Sequence, residues 1–175
     1  LNLVNVFDVS CIAYDPFLSD ERAKNLKIYK TKDLNDLLSQ SDVVTLHLPK
    51  NENTHNIISR ENIYKMKKGS ILVNCARGGL VEEIAVAEAI KTKHLSAAAF
   101  DVFLEEPATS NPLFGLKNVI CTPHLGASTA EAQEKVSFQI ADQIINYLKN
   151  GAIVNALNAP SIDPKEALLL NPWIR

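Results

Sequence analysis

His124 stands in the turn Thr122-Pro123-His124, eighteen residues beyond Glu106, in a chain with only four histidines. Imidazole changes charge near neutral pH, so a histidine there can give and take a proton. A carboxylate against its second ring nitrogen fixes the tautomer and favours the protonated ring, a role open to Glu105 or Glu106, the acidic pair before Pro107. Arg77, followed by Gly78 and Gly79, offers a guanidinium fork that pairs bidentately with a carboxylate and polarises an adjacent carbonyl. Lysine does not reproduce that geometry. Together these residue types suit a hydride transfer between a hydroxy acid and a keto acid, with His124 handling the hydroxyl proton. Each also has a plainer reading: His124 as a structural histidine behind a proline, Arg77 as a solvated arginine beside a tight turn. His94, at the basic end of a helix, is explained by the helix dipole, and His55 by a polar loop. No metal site is expected, because no two histidines have the i, i+4 spacing of a helical ligand pair.

These residues need a scaffold, and an alternation of strand and helix supplies it. Residues 9–14 form a β-prone run ending at Asp15-Pro16, followed by a short helix over 19–26. Thr31 can cap a helix whose Leu34, Leu37 and Leu38 share a face, and residues 42–48 form an apolar strand ending at Pro49. A helix over 59–67 stopped by Gly69, a strand over 70–75, a helix over 81–93 and strands over 96–102 and 118–121 complete the series. Near-continuous apolar strands separated by helices predict a parallel sheet covered on both faces. The fold class is α/β, a doubly wound Rossmann-like parallel sheet, with ligands at the carboxyl ends of the strands.

The unusual residues fall at those ends: Asp15, His47 and Pro49, Arg77-Gly78-Gly79, Asp101, and Thr122-Pro123-His124. Asp15 reads either as a turn former or as a ribose ligand, and as a ligand its charge repels a 2′-phosphate, which selects NAD over NADP. Residues 1–127 are expected to form the nucleotide-binding domain, 128–151 a long helix, and 152–175 a loop-like tail with prolines at 160, 164 and 172. Ser128 and Glu131 have the spacing of a capping box for that helix, Val136, Ile140, Ile144 and Leu148 share one of its faces, and Gly151 is its stop.

Composition sets outer limits. The chain has 175 residues, 46% of them hydrophobic and 22% charged, with a formal net charge of -2. This is the make-up of a soluble globular protein and implies no nucleic-acid or membrane partner. The longest apolar runs are strand-length, far short of the roughly 20 residues of a membrane span, and no signal peptide is expected. Cysteines at 11, 75 and 121 lack CxxC spacing and read as reduced thiols of a cytoplasmic protein rather than paired disulfides.

The segments "NCARGGLVEE", "AAAFDVFLEEP" and "TPHLGAST", in this order and at these separations, resemble the signatures of the NAD-dependent D-isomer-specific 2-hydroxyacid dehydrogenases. The resemblance covers essentially the whole chain. "AYDPF", "SDVVTLHLP" and "NALNAPSI" narrow it to the members that oxidise D-3-phosphoglycerate to 3-phosphohydroxypyruvate in serine biosynthesis. It implies that Arg77 binds substrate, that Glu106 pairs with the acid-base residue His124, and that Glu105 is a bystander. It further implies that Asp15 takes the adenosine ribose of NAD, that Leu48 and Cys75 line the cofactor, and that Asp101 meets the nicotinamide side. His124, Leu125, Gly126 and Ala127 would complete that wall. A 2-hydroxy acid is the implied substrate, and a homodimer or homotetramer the implied assembly.

The departures from the family matter as well. The G-x-G-x-x-G loop that the family carries before its "AYD" strand is not present, Asp8 replaces the usual glycine, and residues 1–8 resemble only the end of the helix after that loop. The first strand, the glycine-rich loop and the substrate domain are therefore expected to be missing from these residues, and a regulatory region to be cut off at Arg175. The long helix normally packs on that substrate domain, so its apolar face is expected to be exposed unless another chain covers it. Weak or absent turnover is expected of the 175 residues by themselves. Glyoxylate or hydroxypyruvate reduction is the alternative activity. A non-catalytic, NAD-responsive scaffold like the C-terminal-binding-protein corepressors is the alternative class.

Overall fold

The computed structural model describes residues 4–126, 128–156 and 158. The chain divides into two compact units, Leu1–His124 and Leu125–Arg175.

In the first unit a 3₁₀ turn, Val4–Phe7, precedes β1 (Ile12–Tyr14), α1 (Asp20–Asn25), β2 (Tyr29–Thr31), α2 (Leu34–Gln40) and β3 (Val43–Leu46). Then come α3 (Arg60–Ile63), β4 (Ile71–Asn74), α4 (Glu83–Lys91), β5 (Ala97–Phe100) and β6 (Val119–Cys121). All pairings are parallel and form two sheets, β1-β2 and β3-β4-β5-β6. This is the α/β, Rossmann-like arrangement of parallel strands and helices expected from the alternating pattern. The register matters most for function. Leu46 lies opposite Asn74, Asn74 opposite Phe100, and Phe100 opposite Cys121, so four carboxyl ends form one row. Residues 47–48, 75–77, 101 and 122–124 therefore leave the sheet along the same edge.

The core lies on one face of the larger sheet. Val44 and Leu46 of β3, Leu72 of β4, and Ala98 and Phe100 of β5 are buried against Leu38 of α2, Ile63 of α3 and Val86 of α4. Burying each large side chain of this kind contributes about 1.5–3 kcal/mol, which fixes the strand ends firmly. On the other face Val43 and Thr45 are exposed, while Ile71, Val73, Ala97 and Ala99 are half-buried. Within this unit the strands thus alternate instead of being sealed on both faces.

Several boundaries differ from the pattern, for identifiable reasons. Thr31 ends β2, a strand the sequence pattern did not reveal. Asp33 caps α2 by accepting the Asn35 N–H at 2.7 Å. α3 stops at Ile63 because the next N–H groups turn tightly, Lys65 to Asn62 and Met66 to Ile63. α4 begins only at Glu83, since Val81 pairs with Ile58 in an isolated parallel bridge and the Glu82 N–H donates to the Ile58 carbonyl. His94 lies just beyond the Thr92 C-cap of α4, where its ring Nε2 donates to the Ile63 carbonyl at 3.2 Å and the ring packs on Tyr64.

The second unit contains α5 (Ala130–Asn150). Its cap is Thr129, whose hydroxyl accepts the Ala132 N–H at 3.1 Å, one residue beyond the expected capping box at Ser128. Gly151 ends it in the left-handed conformation, φ 67°, with its N–H on the Tyr147 carbonyl. No helix among the described residues is long and apolar enough to cross a membrane.

Candidate active site

Three segments at the row of strand ends build the site. The first follows β4. Asn74 is buried at 1% exposure, and its side chain works entirely on the turn that carries Arg77. Its Oδ1 accepts the Ala76 N–H at 3.1 Å, and its Nδ2 donates to the Arg77 carbonyl at 3.0 Å. Those two bonds shape residues 74–77 into a fixed loop. The Arg77 guanidinium is exposed, donates to the Ala76 carbonyl at 2.6 Å, and makes no ion pair among the described residues.

The second segment follows β5. Asp101 is buried, its N–H donates to the Asn74 carbonyl, and its Oδ1 accepts the Thr122 hydroxyl at 2.5 Å. Further on, Glu106 Oε1 accepts the Phe103 N–H at 2.9 Å. Glu105 is exposed.

The third follows β6. His124 has φ 56°, a left-handed conformation that costs a non-glycine residue about 1 kcal/mol. Two bonds from its own N–H, to the carbonyls of Asp101 and Thr122, hold it there. The result aims the imidazole at the preceding segment: His124 Nδ1 lies 2.6 Å from Glu106 Oε2. The Glu106 carboxyl is held below the usual carboxylate range, first by this contact and then by the Phe103 N–H, against the opposing effect of burial. It is therefore ionised near neutral pH and can only accept, so the proton between the two residues resides on His124 Nδ1.

Glu106 and His124, with Phe103, Pro107, Phe114 and Cys121, line an open cavity of about 780 Å³. Phe103 and Phe114 meet edge to face, 5.3 Å between ring centroids. The Cys121 thiol is pushed up, chiefly by burial and secondarily by the charge of Glu83, which keeps it a neutral thiol.

The site residues expected from the sequence are thus placed as follows. Glu106 and His124 touch, and Asp101 backs His124 through its carbonyl. Arg77 leaves the sheet two strands away from His124, on the same edge. Leu48 packs against the core and Cys75 is exposed at the end of β4. Asp15 follows β1 in the smaller sheet, where its Oδ1 accepts the Phe17 N–H at 2.8 Å. Leu125 and Gly126 belong to the second unit, and Ala127 lies outside the described residues. Asn74 was missed, and Thr122 was noted only as part of the turn before His124. An asparagine closing a strand four residues before the Gly78-Gly79 turn is the signal that could have pointed to Asn74.

Residues 1–126 match the family model described as D-isomer specific 2-hydroxyacid dehydrogenase, NAD binding domain. The chain belongs to that family. It is 45% identical over 168 residues to the D-3-phosphoglycerate dehydrogenase of Archaeoglobus fulgidus, covering 95% of this chain and 32% of the relative. It is 44% identical over 168 residues to that of Methanocaldococcus jannaschii, covering 96% and 32%. The chain spans about a third of the length of these curated relatives. Among solved structures, a protein of Pyrococcus horikoshii OT3 is similar with TM-score 0.77 and 33% identity, over 98% of this chain and 49% of the other. A glyoxylate reductase from Paecilomyes thermophila is similar with TM-score 0.76 and 26% identity, over 90% and 47%.

Proposed function

We propose that the protein carrying this chain oxidises D-3-phosphoglycerate to 3-phosphohydroxypyruvate with NAD, and that Arg77, Glu106 and His124 are its catalytic residues. The observation that carries this reading is the 2.6 Å contact between His124 Nδ1 and Glu106 Oε2 at the carboxyl edge of a parallel sheet. With Nδ1 protonated toward Glu106, Nε2 takes the substrate hydroxyl proton, and the neighbouring carboxylate stabilises the imidazolium that results. Arg77 holds the substrate carboxylate through its fork and polarises the carbonyl being formed.

NAD, when bound, would supply the acceptor for the hydride. Asp15 fits the ribose end: it fixes a carboxylate at the end of β1, suited to vicinal hydroxyls. Asp15 would hold the adenosine ribose and Leu48 and Cys75 would line the cofactor. Asp101 and His124 would border the nicotinamide. The sequence holds no G-x-G-x-x-G loop for the pyrophosphate, so weak or no turnover is expected of the 175 residues alone. The reading places the protein in the cytoplasm as a symmetric homo-oligomer.

The names of the 44–45% identical relatives support the phosphorylated substrate, while the likeness to a glyoxylate reductase supports glyoxylate or hydroxypyruvate reduction as the second reading. A steady-state assay of the full-length polypeptide separates them. Higher kcat/KM for D-3-phosphoglycerate with NAD than for glyoxylate or hydroxypyruvate with NADH supports the first reading, and the reverse order supports the second.

A further inference from the structure

We infer that Glu83 is a positioning residue for the Glu106–His124 pair, acting by anchoring the segment that carries Glu106; its kinetic consequence rests on the dehydrogenase reading above. Glu83 opens α4, six residues after Arg77. Its carboxylate reaches across to the segment after β5: Oε1 accepts the Leu104 N–H at 2.8 Å and Oε2 accepts Asn111 Nδ2 at 2.6 Å. Asn111 is itself oriented, because its Oδ1 accepts the Leu113 N–H at 3.0 Å. One carboxylate thus pins both ends of residues 104–111, and Glu106 lies between the pins. Hydrogen bonds to an ionised acceptor are about twice as strong as neutral ones, and the first turn of a helix favours an anion. The residue just before the segment, Phe103, is held by the close packing of Gly78 on its carbonyl. The Arg77 turn, α4 and the Glu106 segment are therefore tied together, and Glu83 sets where Glu106 stands beneath His124.

The chemistry of the tether requires a carboxylate. Both oxygens accept, one from a backbone N–H and one from an amide. Glutamine has one acceptor oxygen, and it would turn its own NH₂ toward that of Asn111. Asn111 cannot simply flip, since its Oδ1 is engaged by Leu113. Changing Asn111 to aspartate in the Glu83→Gln background restores the bond between residues 83 and 111 with donor and acceptor exchanged, and leaves the Leu104 and Leu113 N–H groups donating as before.

The test compares Glu83→Gln, Glu83→Ala and the double variant Glu83→Gln/Asn111→Asp in the full-length polypeptide. Two readouts are taken: the His124 Nδ1 proton resonance in ¹⁵N-histidine-labelled protein, and kcat and KM for D-3-phosphoglycerate. Because a misplacement of about 1 Å costs on the order of 10²-fold in rate, Glu83→Gln is expected to lower kcat roughly 10–100-fold, with KM within about threefold. The Nδ1 proton signal should be lost in the same variant. The double variant should recover the signal and bring kcat back to within about threefold of the parent. Should Glu83→Ala fail to fold, the glutamine pair still decides. An unchanged signal in Glu83→Gln, or a double variant no better than Glu83→Gln, overturns the assignment. If His124→Gln leaves turnover intact, the dehydrogenase reading falls instead, and the proton signal alone decides for or against Glu83.

Discussion

Gly78 lies so close to Phe103 that a Cβ added at position 78 would sit 1.7 Å from the Phe103 carbonyl oxygen. The contact joins the turn bearing Arg77 to the segment bearing Glu106, and both sides of it are backbone. No rotamer change relieves such an overlap. Gly78→Ala is expected to cost on the order of 1–3 kcal/mol of stability, read as a lower midpoint of urea unfolding. An unchanged midpoint would mean that the two segments are not packed as described.

Arg77 is exposed and makes no ion pair among the described residues, so replacing it disturbs little of the fold. Arg77→Lys keeps the charge and loses the planar fork. The expected result is a kcat/KM for D-3-phosphoglycerate lower by about tenfold or more, equivalent to ~1.4 kcal/mol, with thermal stability unchanged. Equal kinetics for the two residues would contradict bidentate substrate binding.

Asp15 is the residue expected to discriminate between NAD and NADP, because its carboxylate repels a 2′-phosphate. In the full-length polypeptide Asp15→Ser should narrow the NAD preference by about tenfold or more. The check is the ratio of kcat/KM for the two cofactors, and an unaltered ratio would remove Asp15 from the ribose site.

Glu106 gives the fold a pH dependence of definite sign. Its carboxyl is depressed, first by the His124 hydrogen bond and then by the Phe103 N–H. A group depressed in the folded state contributes stability that is complete above its unfolded value, about 4.3 for a glutamate, and is lost as pH falls through the folded value. Glu106→Gln should therefore be less stable than the parent near neutral pH, and the difference should shrink as the pH drops below about 4. Urea midpoints at a series of pH values measure it. A gap that stays constant into the acid range would contradict an ionised Glu106.

Much of the larger sheet was legible because its strands are short apolar runs bounded by Gly, Pro and Asp, and because each chemically distinctive residue follows one of them. β2 escaped notice since three residues with Lys30 in the middle show no apolar pattern, and the strand is held by its parallel register with β1. The start of α4 was misjudged because Val81 is a good helix neighbour in sequence but lies in a parallel bridge to Ile58, whose N–H donates to the Leu80 carbonyl and whose carbonyl accepts the Glu82 N–H. Nothing in the sequence distinguishes the neighbouring acids Glu82 and Glu83. In the structure Glu82 accepts the Arg60 N–H at 2.8 Å at the start of α3, while Glu83 holds the Glu106 segment. The pairing of His124 with Glu106, rather than Glu105, came from family resemblance. Residue types alone left both open, and the left-handed backbone at His124 that aims its ring has no sequence signal.

The central claim is that His124 handles the substrate proton with Glu106 behind it. The most direct measurement is kcat of His124→Gln in the full-length polypeptide with D-3-phosphoglycerate and NAD, alongside the parent. Loss of an acid-base residue removes about 10²–10⁴-fold of catalysis, so kcat should fall by that amount while NAD affinity is largely kept. A kcat within about threefold of the parent would contradict the assignment and leave the 2.6 Å pair a structural contact.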